Sequence, residues 1–216
     1  MISRLLTACF ASLLLTACAT AGGNGPAAGH PRFSRTVTVG IAAMNDFHGA
    51  LEPPKQSMVA PDRKGGTLQI PAGGAAWLAS AVDSVRKKYP NHLTVSAGDL
   101  IGGSPITSSL FLDEPAVGVM NRIGLDFSAV GNHEFDSGVD ELLRKQTGGC
   151  AQLTPRKPCQ VEPLKGAKFA MLAANTLRAD GSTLFPATAM RSFGFGSNRV
   201  KVGLIGMTLK GTECLL

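Results

Sequence analysis

Three short segments carry side chains suited to binding a cation and moving a proton. Asp46 and His48 stand two residues apart, Gly98 is followed by Asp99, and residues 131–136 read GNHEFD. A carboxylate and an imidazole at that spacing can both turn to one side of an extended segment, which suits chelation. Asn132 adds a neutral amide oxygen, His133 an imidazole and Asp136 a carboxylate within a single turn. Taken singly, Asp46 or Asp99 could serve a turn, Asn132 or Asp136 could cap a helix, and His133 could be a surface imidazole. Those roles fail jointly, because a cap does not require Asp-x-His at a different strand end. No role falls to Glu134, for which a solvent-facing or structural place is expected. Phe135 reads as packing, and His30 and His92 as bystanders.

Each segment follows an apolar run short enough for a buried strand. The runs are residues 37–43, 93–97 and 126–130, and Gly131 ends the last with a tight turn. After Gly73 and Gly74, Trp77, Ala81, Val85 and Tyr89 recur every fourth residue with Leu78 and Val82 beside them, which predicts a helix with these on its buried face. Asp83, Arg86 and Lys87 fall on the other side, and Pro90 with Asn91 stops the helix. A second helix is expected over 115–122, started by Asp113 and Glu114 and closed near Gly124. A third is expected over 136–145, its acidic opening matching a positive helix end. Further strands are predicted at 167–173 and 200–205. This alternation implies an α/β layered fold in which strand carboxyl ends gather the polar groups.

The chain has 216 residues, enough for one domain with a sizeable core. Arg4 and the apolar run 5–15 have the charge and length of a signal-peptide core rather than a membrane span. Leu15-Thr16-Ala17-Cys18 is similar to a bacterial lipobox, so residues 1–17 are expected to leave, Cys18 to carry lipid, and residues 18–35 to form a flexible tether. A cut after Ala21 is the rival reading. The protein is then an exported bacterial protein of the periplasm, lipid-anchored to the outer membrane. Cys150 and Cys159 flank a Pro- and Lys-rich loop, so a local disulfide is expected in an oxidising compartment, with unpaired or metal-binding thiols as the alternative. A net charge of +6 with scattered basic residues and few aromatics speaks against a nucleic-acid partner.

The order D-x-H, G-D, G-N-H-E-x-D resembles the calcineurin-like metallophosphoesterases. The fuller strings MNDFHGALEP, GGAAWLASAV, SAGDLIGGSP, VGNHEFDSGVDELL, AANT and VGLIGMTLKGT look like their periplasmic 5'-nucleotidase branch, over residues 37–212. The resemblance implies a four-layer α-β-β-α sandwich, present here in incomplete form as the N-terminal part of that domain over residues 36–216. It implies two divalent metal ions, zinc, manganese or cobalt. Asp46 and His48 match ligands of the first, Asp99 the bridging carboxylate and Asn132 a ligand of the second. His133 matches the imidazole that stabilises the transition state or assists the leaving alkoxide, and Asp136 the carboxylate that orients it.

The resemblance also implies a nucleotide or other phosphoester substrate: a 5'-nucleotide, a 2',3'-cyclic nucleotide or a UDP-sugar. One departure stands out. The resemblance implies further ligands downstream, two histidines for the second metal and a histidine or glutamine for the first, and this sequence has no histidine after His133. The sequence therefore supports two expectations, a metal-dependent nucleotidase represented by its amino-terminal part, and a truncated, catalytically inactive lipoprotein fragment that binds metal weakly or not at all.

Overall fold

The computed structural model describes residues 36–55 and 57–212. The expected signal peptide, Cys18, the tether and Cys214 lie outside the described residues. In chain order the elements are β1 (Gly40–Met44), β2 (Ser57–Pro61), β3 (Thr67–Pro71), α1 (Ala75–Lys88), β4 (His92–Ser96), α2 (Ile106–Ser109), α3 (Glu114–Ile123), β5 (Phe127–Ala129), α4 (Val139–Thr147), β6 (Ala170–Leu172), β7 (Thr188–Phe193) and β8 (Val200–Ile205).

Strands β1, β4, β5 and β6 form one parallel sheet in that spatial order. Parallel neighbours need a crossover rather than a hairpin, and α1, α3 and α4 lie in the three connections. The register positions the site. Gly40 pairs with His92 and Met44 with Ser96, so β1 and β4 end level and the loops that follow them emerge side by side. Strand β5 pairs Ser128 with Ser96 and brings a third loop to the same edge. Val82 of α1, Met120 and Ile123 of α3, and Leu142 of α4 share one buried cluster with Val130, Phe135, Phe169 and Met171. The α/β class with a parallel sheet thus agrees with the sequence reading.

Several local expectations need correction. On α1, Trp77 is 50% exposed whereas Val82 is buried and Leu78 packs against the core. A row of residues spaced by four drifts around a helix of 3.6 residues per turn, by about 120° between Trp77 and Tyr89. The row therefore begins in solvent and ends half-buried at Val85 and Tyr89. Arg86 is not solvated with its lysine neighbours, since its guanidinium donates to the Gly124 carbonyl and to Thr94 Oγ1.

The helix expected from Asp136 begins at Val139. Residues His133–Phe135 form a short 3-10 turn before it, and Asp140 and Glu141 occupy its first turn. The β2–β3 antiparallel hairpin was not foreseen, and β7 and β8 form a separate antiparallel pair.

Candidate metal centre

The loops after β1, β4 and β5 meet at the carboxyl edge of the sheet. Asp46, His48 and Asp99 each place one donor atom within 4.8 Å of the others. They do so from turns, not from the extended segment that the Asp-x-His spacing suggested. Strand β1 ends at Met44, and Asp46, His48 and Asp99 have φ of 51°, 43° and 52°, left-handed conformations that non-glycine residues rarely adopt. Interstrand peptides impose this shape. The Asp46, His48 and Gly49 amides donate to the carbonyls of Gly98, Asp99 and Leu100, at 3.2, 2.9 and 3.0 Å.

The imidazole of His48 is oriented from behind. Its Nδ1 lies 2.7 Å from the Gly102 carbonyl, which can only accept, so Nδ1–H donates there and, in the neutral ring, Nε2 carries the lone pair. That nitrogen stands 3.8 Å from Asp46 Oδ1. Asn45 donates its side-chain amide to Asp46 Oδ2. Asp99 Oδ1 accepts the His133 amide at 3.0 Å. The peptide between half-buried Asn132 and His133 is thereby tied to Asp99.

His133 and Asp136 form the second working pair. Their Nδ1 and Oδ2 atoms are 3.0 Å apart, and the His133 ring meets the His48 ring edge to face at 4.9 Å. The hydrogen bond to Asp136 raises the His133 pKa above its ordinary 6.5 against a smaller opposing effect of burial. Asp136 Oδ2 also accepts the Gly103 amide at 3.0 Å, which holds the carboxylate in place. Gly102, at φ 77°, passes so close that a Cβ there would strike the His133 carbonyl and Asp136 Oδ2.

Two residues of this region make contacts that the sequence reading did not give. Glu134 is buried, 4% exposed, with both oxygens turned onto backbone amides, and burial pushes its carboxyl up to about 7. Asp113 makes no side-chain cap on α3; its carboxylate turns back to Ser108 and to the Gly102 amide. The three backbone donors around a carboxylate could not be read from residue order. Elsewhere, Cys150 and Cys159 are joined in a disulfide, and His92 is engaged with the Tyr89 carbonyl away from the cluster.

The site is a cluster of hard oxygen and imidazole donors beside an imidazole–carboxylate pair, on the strand ends of a parallel sheet. No protein-family model matches the chain. Curated relatives do. An uncharacterised protein of Acinetobacter calcoaceticus, from the pqq-V 5' region, is 47% identical over 88% of this chain and 95% of its own length. Endonuclease YhcR of Bacillus subtilis is 38% identical over 70% of this chain, and the NAD 5'-nucleotidase of Haemophilus influenzae 30% over 72%. The chain spans only 12% and 22% of those two relatives.

Among solved structures, the calcineurin-like phosphoesterase YfkN of Bacillus subtilis superposes with a TM-score of 0.56 at 24% identity, over 82% of this chain and 50% of that one. Sequence relatives and structural neighbours are thus 5'-nucleotidases and calcineurin-like phosphoesterases, of whose longer chains this one matches only a part. The 5'-nucleotidases among these relatives support a phosphoester hydrolase function, and the Asp46, His48 and Asp99 cluster supplies a candidate metal-binding group.

Proposed function

We propose that the strand-end cluster is the metal centre of a nucleotide phosphoester hydrolase. The observation that carries this reading is the convergence of Asp46, His48 and Asp99 donors within 4.8 Å, with His133 paired to Asp136 alongside. The donor set fits a divalent transition metal, since carboxylate oxygens and a neutral imidazole Nε2 suit zinc, manganese or cobalt alike. Asp46, His48 and Asp99 would hold one ion, and Asp99 with Asn132 would contribute to a second. When bound, such ions activate water, align the phosphoryl group and neutralise charge on its oxygens.

The chain's own groups supply the rest. Asp136 fixes the His133 tautomer and favours its protonated form, which leaves Nε2–H as a donor to a phosphoryl oxygen or to the departing alkoxide. Gly103 holds the Asp136 carboxylate, so the pair does not depend on one hydrogen bond. Nδ1–H of His48 donates to the Gly102 carbonyl, so the neutral ring would present its Nε2 lone pair to a metal. The substrate proposed is a nucleoside 5'-monophosphate, with phosphodiesters of nucleotides as the nearest alternative.

A second reading is metal binding with little or no turnover, since among the described residues a single group of His, Cys, Asp and Glu side chains is placed to hold a metal, Asp46, His48 and Asp99. Phosphate release from AMP and hydrolysis of a chromogenic phosphodiester, each with Mn²⁺ and after exhaustive chelation, separate the readings. Metal-dependent release supports the hydrolase. Metal binding without release supports the second reading, and release unchanged by chelation refutes both. The location proposed is export with lipid at Cys18, motivated by Arg4 and the apolar run that precedes that cysteine. No described helix is long and apolar enough to cross a membrane.

A further inference from the structure

The loop after β4 is pinned at two points by buried carboxylates. At its start, Glu134 Oε2 accepts the amides of Asp99 and Gly131 at 2.9 and 2.8 Å, and Oε1 accepts that of Leu100 at 2.7 Å. One side chain thus ties the β4 loop to the β5 loop. At the other end, Asp113 Oδ2 accepts the Gly102 amide at 3.2 Å, while Ser108 Oγ donates to its Oδ1 at 2.6 Å. The peptide that Asp113 holds is followed immediately by the carbonyl that accepts His48 Nδ1–H.

These amides bear on three of the four proposed metal-binding groups. Asp99 carries its own donor, Gly131 precedes Asn132, and Gly102 aims His48. Asp46, His48, Asp99 and Asp113 all hold left-handed backbone. Such conformations cost about 1–3 kcal/mol each and persist only where the surroundings over-determine them. Here a buried carboxylate does that at each end of one loop. Neither Glu134 nor Asp113 belongs to the group of donors that could reach a common cation.

We propose that Glu134 and Asp113 are positioning residues of the metal centre, holding the Asp99, Asn132 and His48 donors in binding geometry before a cation arrives. The inference rests on the metal-centre reading. It has a direct chemical consequence, because all three positions around Glu134 are occupied by N–H donors. A carboxylate can accept from all of them. The amide of Gln offers one oxygen and one NH₂, so at least one N–H must face another donor. Misplaced donors weaken a metal, and loss of an orienting partner behind metal ligands costs roughly 10- to 100-fold in affinity.

The experiment is binding of Mn²⁺ alone to the full chain by equilibrium dialysis, with metal counted by mass spectrometry and thermal unfolding recorded on the same samples. Wild type is compared with Glu134→Gln, Asp113→Asn and Met120→Ala, the last a fully buried α3 residue outside the polar contacts that hold the loop. Glu134→Gln is expected to weaken Mn²⁺ binding by roughly 10- to 100-fold and Asp113→Asn by about 10-fold. Met120→Ala is expected to melt earlier yet bind Mn²⁺ as wild type does. If Glu134→Gln does not fold, Asp113→Asn decides. Unchanged affinity in the folded variants overturns the inference, as does an equal loss in Met120→Ala. A wild-type chain that binds no Mn²⁺ overturns the metal-centre reading, and the inference with it.

Discussion

Substituting Glu141 should destabilise the protein more than substituting its partner Lys145. Glu141 is 1% exposed, and its Oε1 accepts from Arg144 at 2.6 Å and from Lys145 at 2.8 Å, while Oε2 accepts from Arg144 at 2.8 Å. Arg144 also donates to Glu114 at 2.7 Å and to the Gly149 carbonyl at 2.7 Å, so α3, α4 and the disulfide loop share one buried network. Glu141→Ala leaves Lys145, itself fully buried, without its carboxylate and Arg144 without two bonds. Breaking a buried pair in this way costs about 3–5 kcal/mol.

Lys145→Met removes the charge instead and leaves Glu141 with both Arg144 bonds. Its cost should be that of one lost charged hydrogen bond offset by easier burial, below about 2 kcal/mol. Burial would raise the Glu141 carboxyl, yet hydrogen bonds from Arg144 and Lys145 prevail and hold it below its ordinary 4.5. A carboxyl depressed in the folded state contributes stability above pH 4.5, and that contribution is lost as pH falls through the depressed value. Urea unfolding of both variants from pH 3 to 7 is the assay. The two costs should differ clearly at pH 7, and the acid-side loss should shrink in Glu141→Ala. Equal costs, or a Glu141→Ala cost under about 1 kcal/mol, would refute the reasoning.

Three further outcomes are expected. His133→Ala should lower turnover of an active form by roughly 10²- to 10⁴-fold while bound metal, counted by mass spectrometry, stays unchanged; parallel loss of both would make His133 a ligand. Asp46→Asn and Asp99→Asn should each weaken Mn²⁺ binding in dialysis, Asp99 more, because it also anchors the His133 amide. Replacing Cys150 and Cys159 by serine should cost about 2–3 kcal/mol in urea unfolding under oxidising conditions, the loop between them being short, and an unchanged midpoint would count against the bridge.

The residues of the candidate site, and their place at strand ends, were legible in the sequence. Short apolar runs ending at glycine or a polar turn are local signals, and parallel strands separated by helices follow from them. The layered α/β class came from the same alternation. What residue order could not supply was register and direction. Asp46 and His48 converge because β1 and β4 end level and their loops exchange amide hydrogen bonds in left-handed turns, not because two-residue spacing aligns them. The β2–β3 hairpin and the exposure of Trp77 likewise depend on what each face meets. Glu134 shows the difference most plainly. Its neighbours in sequence give a carboxylate with no evident task, whereas three peptide amides from two loops surround it once the chain folds. A backbone donor is present at every residue but proline, so the sequence records no trace of which of them a buried acid will need. Only the tertiary structure decides that, by bringing together groups 35 residues apart.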